Sequence, residues 1–209
     1  MKSRMILTAA TLGTLVSASA FADDTSLSAT APAPKMRAQA QIELLPIGTG
    51  EGKIGDTSMS TDTGMAYGVS AMFDYAITPY LSVGVAPRLV LNVISDKPDD
   101  GDKADKELDL RARLVGHFPV ATGLEAYAAL TPGYTFVLSS TDGVNSSKGF
   151  ALGGAVGVTY DVSPSMFLGA EVGYQRAFTS TEVMLGALPI SADLNLSYMH
   201  VGLGAGTRF

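Results

Sequence analysis

The chain has no cysteine and no tryptophan among its 209 residues. Without thiols there are no disulfides, no thiolate nucleophile and no Cys-based metal site. Histidine is nearly as scarce, with only His117 and His200, so chemistry that needs an imidazole base has two places to work. Positive charge is short as well: 14 Lys and Arg stand against 20 Asp and Glu, a net of −6, which argues against nucleic acid as a partner. Past residue 22 there is no continuous apolar run of the roughly 20 residues a spanning helix needs. Glycine, by contrast, is plentiful at 23 residues.

The first residues read as a processing segment. Lys2 and Arg4 form a positive start, Met5 to Val16 is a short apolar run, and Ala20-Phe21-Ala22 offers a small-x-small cleavage site before Asp23. Residues 1–22 are therefore expected to be a secretory signal peptide. Residues 23–35, rich in Ser, Thr, Ala and Pro, read as a flexible periplasmic lead. Residues 36–209 form the remaining domain.

That domain carries eight segments of period two, the periodicity of strands with unlike faces. They run from Met36 to Leu45, Gly64 to Ile77, Tyr80 to Val93, Glu107 to Phe118, Leu124 to Val137, Gly149 to Val162, Met166 to Phe178 and Leu194 to Phe209. In the fourth, Leu108, Leu110, Ala112, Leu114 and Phe118 oppose Glu107, Asp109, Arg111, Arg113 and His117. Pro87 and Pro132 fall mid-strand, where each removes a ladder donor, and bulges are expected there. Tight links at Thr78-Pro79, Pro119 to Gly123 and Ser163 to Ser165 alternate with long polar ones at 47–63, 94–106, 138–148 and 179–193. Short turns on one side and long loops on the other is the layout of a transmembrane barrel.

Alternation alone fits a soluble barrel equally well, because the two differ only in which face points inward. Three features place the polar face inside. It is rich in glycine (Gly68, Gly84, Gly153, Gly157, Gly169, Gly173, Gly202, Gly204), and an eight-stranded lumen has room only for packed side chains. Every lysine after the leader lies outside these eight segments, whereas Arg37, Arg88, Arg111, Arg113, Arg176 and Arg208 lie within them; arginine suits an enclosed, multiply bonded pair. The mid-strand charges nearly all share the polar parity, and an Arg at a lipid midplane costs about 2–4 kcal/mol. The expectation is an all-β, eight-stranded antiparallel up-and-down transmembrane β-barrel.

Within the lumen Glu43, Asp74, Arg88, Arg111, Arg113, Glu125 and Glu171 are expected to pair and plug the barrel, since single buried charges are costly. Arg176 has the lipid-facing parity and is expected to snorkel toward lipid phosphates. Tyr75, Tyr80, Phe118, Tyr160 and Phe209 are candidates for an inner aromatic girdle, and Tyr134, Phe136, Phe150 and Phe178 for an outer one. The acidic stretch 96–107 partly fits a calcium loop through Asp96, Asp100, Gly101, Asp102 and Glu107, but Pro98 occupies a ligand position, so a solvated loop is expected. No catalytic, metal or cofactor site is expected.

The last strand runs Met199, Val201, Leu203, Ala205, Thr207 and Phe209 against His200, Gly202, Gly204, Gly206 and Arg208. It resembles the C-terminal strand of bacterial outer-membrane β-barrels, where a final Phe is the assembly signal. Residues 36–209 resemble the small outer-membrane barrels of OmpA-barrel and OmpX type. The resemblance implies a bacterial outer-membrane location. It also implies contact with outer-membrane lipid, and with the barrel-assembly machinery through Phe209. Roles in that family include anchoring, adhesion and surface protection, so the expected function is a porin-like but non-enzymatic structural or surface-interaction protein working through its extracellular loops. A narrow channel is the alternative. An outer-membrane lipid-modifying enzyme is a third reading, although lipid A deacylases place Ser two residues after His, and here Pro119 and Gly202 stand in those places.

Overall fold

In the computed structural model the described residues are 35–91, 106–138, 146–185 and 188–209, and of 182–190 only the backbone is described. The expected leader, most of the lead, and most of the acidic stretch lie outside them. The strands are β1 (Met36–Ile54), β2 (Thr57–Thr63), β3 (Ala66–Thr78), β4 (Leu81–Leu91), β5 (Lys106–Ala121), β6 (Leu124–Leu138), β7 (Ser147–Asp161), β8 (Met166–Leu185) and β9 (Leu188–Arg208). All pairings are antiparallel, in the order β1-β3-β4-β5-β6-β7-β8-β9, and β9 pairs back onto β1. Eight strands thus close a barrel, and β2 pairs only with the far half of β1. Met36 and Phe209 exchange backbone hydrogen bonds of 2.9 and 3.0 Å at the seam.

The period-two pattern dictates which side chains go inside. Along β5, Glu107, Asp109, Arg111, Arg113, Val115 and His117 are buried, while Leu108, Leu110, Leu114 and Phe118 are exposed. Polar groups line the lumen and apolar ones the outer wall, the reverse of a soluble barrel. Inward glycines make room for large neighbours: a Cβ at Gly157 would run into the Tyr127 ring, and one at Gly173 into the His200 ring. The expected girdle residues lie on the outer face, with Tyr75, Tyr80, Phe118, Tyr160 and Phe209 toward the short turns and Tyr134, Phe150 and Phe178 toward the other end. Phe136 is half-buried and packs edge-on to Tyr134, 5.1 Å between centroids.

Two expectations about local structure need correction. Residues 47–63 are not an open loop: β1 continues to Ile54, turns at Gly55 (φ 57°), and returns as β2. The 179–193 connection is likewise strand, as β8 and β9 stay paired to Leu185 and Leu188. Thr and Ile supply strand propensity, and antiparallel pairing satisfies backbone groups that a loop would leave to water. The second correction concerns proline. Pro87 and Pro132 make no bulge; pairing lapses on one side of each, toward β3 and β5 respectively, and the register continues unchanged. A bulge lies between Leu44 and Ile47, beside Pro46, where two residues of β1 span one of β9, and the register also shifts at Ala76/Thr78 and Pro119/Ala121 next to the short turns.

Candidate functional site

The site is the lumen, and it is layered. At its centre stands Arg88 of β4, fully enclosed with its partners. Its Nε donates to Asp109 Oδ2 at 2.8 Å, Nη2 to Glu107 Oε1 at 3.0 Å and Nη1 to Glu43 Oε2 at 3.3 Å. The Tyr198 hydroxyl closes on both Arg88 and Glu107, and the guanidinium carbon lies 4.9 Å from the Tyr198 ring centroid. Ser70 donates to Glu43 at 2.7 Å and Gln175 to Asp109 at 3.1 Å. Arg111 adds a second cation, 3.9 Å from Glu43 and bonded to Gln175 at 3.3 Å. Desolvated charges persist best when their remaining lone pairs and protons are also satisfied; here side chains from seven strands, with Thr135 of β6 donating to Asp109, satisfy all but Glu107 Oε2, which has no hydrogen-bond partner.

A second layer lies nearer the short turns. Arg113 reaches Asp74 at 3.3 Å and Glu171 at 3.5 Å. Glu171 also accepts from Tyr127 at 2.9 Å and lies 3.2 Å from His200 Nε2.

The third layer is the short-turn mouth. Glu125 pairs with Arg37, whose Nη2 donates to Oε2 at 2.9 Å, rather than with the central arginines. The same carboxylate lies 2.9 Å from His117 Nδ1, and His117 Nε2 lies 2.7 Å from Ser82 Oγ. A carboxylate can only accept, so Nδ1 carries a proton, and Nε2 shares a hydrogen bond with the serine hydroxyl. Serine, histidine and carboxylate in this order is the arrangement of a hydrolase triad. Room decides its role. Ser82 is 1% exposed, and the void beside His117, lined by Arg37, Asp74, Arg113, Tyr127 and Thr159, holds about 10 Å³. That is the space of about one water molecule. The chain of bonds closes the mouth.

Around the Arg88 cluster and beyond it toward the long hairpins, Leu45, Ala66, Val90, Val137, Ala151, Ala177 and Leu196 pack as a dry layer, each 3% exposed or less. Among the described residues, ionic layers and an apolar layer therefore fill the lumen from the short-turn mouth to the level of Leu196.

All seven residues singled out in the sequence face the lumen, and six of them join the two inner layers. Sequence reasoning left out Glu107, Asp109, Tyr198, Arg37, His117 and Ser82 as partners. Glu107 and Asp109 were legible, being the next two inward positions of the run that carries Arg111 and Arg113. Ser82 and Tyr198 gave no signal, because nothing local marks a hydroxyl that meets its partner across strands.

Solved structures share this architecture. OprG, an outer membrane protein from Pseudomonas aeruginosa, superposes with a TM-score of 0.62 at 15% identity, over 85% of this chain and 96% of that one. Neisserial surface protein A gives a TM-score of 0.54 at 18% identity, over 86% and 100%. Likeness at such identities speaks to fold alone. Among curated proteins none matches the sequence. The family model of the outer membrane protein beta-barrel domain matches residues 8–209, and the chain belongs to that family.

Proposed function

We propose that this barrel of the bacterial outer membrane is a non-enzymatic protein with a structural or surface-interaction role, its lumen plugged and its working surface on the long-hairpin side. The observation that carries the reading is the filled lumen: Arg88, Glu43, Glu107 and Asp109 have side chains with no solvent exposure, and the void near the mouth is about one water in size. What is left for recognition is the far side, where residues 57–62 of β2 are all exposed, and function concentrates on connections carried by a rigid scaffold. The stretches 94–106 and 138–148 belong to the same proposed surface. Residues 1–22 act as the signal peptide in this reading, and Phe209, paired to Met36, is the contact offered to the assembly machinery.

Single-channel recording on the purified, folded barrel in planar bilayers tests the plug. No conductance steps are expected; regular steps that change on Arg88 substitution would favour the channel reading instead. A fluorophosphonate probe tests the enzyme reading, with no adduct expected on Ser82 of the folded protein.

A further inference from the structure

We infer that the central layer of the lumen binds one proton, carried on Glu107 Oε2, and that shedding it in alkaline medium loosens the layer. The inference rests on the plugged lumen proposed above and adds the charge state of the plug.

Side chains alone leave the layer out of balance. Among the described residues three carboxylates, Glu43, Glu107 and Asp109, meet two guanidiniums, Arg88 and Arg111. Arg88 and all three carboxylates have side chains with no solvent exposure, so salt screens the surplus charge poorly. The neighbouring titratable groups do not make up the difference. Tyr198 of β9 could only add negative charge by ionising. His200, also of β9, lies 3.2 Å from Glu171, in a layer where Arg113 already faces both Asp74 and Glu171. From β3, β6 and β8 the layer receives Ser70, Thr135 and Gln175, which carry no charge.

Hydrogen bonding says which carboxyl holds the proton. Asp109 accepts from Arg88 and Gln175 on Oδ2 and from Thr135 on Oδ1. Glu43 accepts from Ser70 on Oε1 and from Arg88 on Oε2. Each of these uses both oxygens as acceptors, as an ionised carboxylate can. Glu107 differs. Its Oε1 accepts from Arg88 Nη2 at 3.0 Å and from the Tyr198 hydroxyl, while Oε2 is buried with no partner. In register Glu107 stands between Val90 of β4 and Val137 of β6, both buried members of the dry layer. An unpaired carboxylate oxygen there is a charge with nothing to answer it, whereas the hydroxyl of a neutral acid is only an unpaired dipole and costs far less. Oε1 then serves as the carbonyl oxygen and keeps both of its bonds. Two carboxylates now face two guanidiniums. Passing the proton to a base in solvent restores the surplus charge, which only entering water or a shifted Arg88 can satisfy.

Infrared spectroscopy of the folded barrel tests this, because a neutral acid shows a carboxylic carbonyl band that carboxylates lack. The wild type at neutral pH is expected to show the band, Glu107→Gln to lose it, and Glu125→Gln at the mouth to keep it. Raising the pH is expected to remove the band from the wild type and, over the same range, to lower the urea midpoint of its heat-shifting form. Glu107→Gln has the charge and shape of the neutral acid. Its midpoint is expected to match the wild type at neutral pH and to show no fall over that range. No band in the wild type, a band that survives in Glu107→Gln, or an equal alkaline fall in both proteins would overturn the bound proton. So would a Glu107→Gln chain that gives no heat-shifting form at neutral pH. Conductance steps in the recordings above would fault the plug itself, whereas a closed barrel without the infrared band would fault the proton alone.

Discussion

The two ends of the charged lumen hold the same chemistry under different conditions. Around Arg88, guanidinium and carboxylates are fully enclosed. At the mouth, Arg37 and Glu125 keep 19% and 18% of their side-chain surface. Both are arginine–carboxylate pairs, yet their removal should cost very different amounts. A broken enclosed pair strands the surviving charges without water, while a charge near the rim can rehydrate. Burial, more than the count of ion pairs, sets what each is worth.

The comparison is most strongly stressed by Arg88→Met. It leaves Glu43, Glu107 and Asp109 without their common partner, and a loss of about 3–5 kcal/mol is expected, read as a lower urea midpoint of the heat-shifting folded band in detergent. If that midpoint stays within error of the wild type, the central layer is not what stabilises the barrel. Tyr198→Phe removes one hydroxyl that serves both Arg88 and Glu107, and about 1.5–3 kcal/mol is expected for hydrogen bonds to charged groups. Glu125→Gln at the mouth should cost less than about 1 kcal/mol; a cost equal to that of Arg88→Met would erase the distinction. The smallest effect is on salt. Raising ionic strength from 0.1 to 1 M shortens the screening length from about 10 to 3 Å, so the small cost of Glu125→Gln should shrink while that of Arg88→Met stays constant.

The mouth shows how a motif is judged by its surroundings. Ser82, His117 and Glu125 have the spacing of a catalytic relay, while Ser82 is buried and the void beside His117 holds about 10 Å³.

Much of the fold was legible along the chain. The alternation through Glu107, Asp109, Arg111 and Arg113 placed these side chains on one face, and the inward glycines named that face as the lumen. The proline readings failed because a missing N–H only interrupts pairing on the side toward which it would have donated. Whether a bulge forms depends on the neighbouring strand, and a bulge came at Pro46, where β1 meets β9. The hairpin at 47–63 was missed because its Ser, Thr and Gly content is compatible with both loop and strand, and pairing with β9 decides between them.

The sequence by itself determined the strand count, the inward and outward sets, and the supply of buried charge, because a period of two is a local property that sterics enforce residue by residue. Only the tertiary structure decided who meets whom. Glu43, Glu107, Asp109 and Tyr198 reach Arg88 from β1, β5 and β9 because closure fixes one tilt and one stagger for all eight strands. That stagger is a collective property of the closed sheet, and no single strand encodes it.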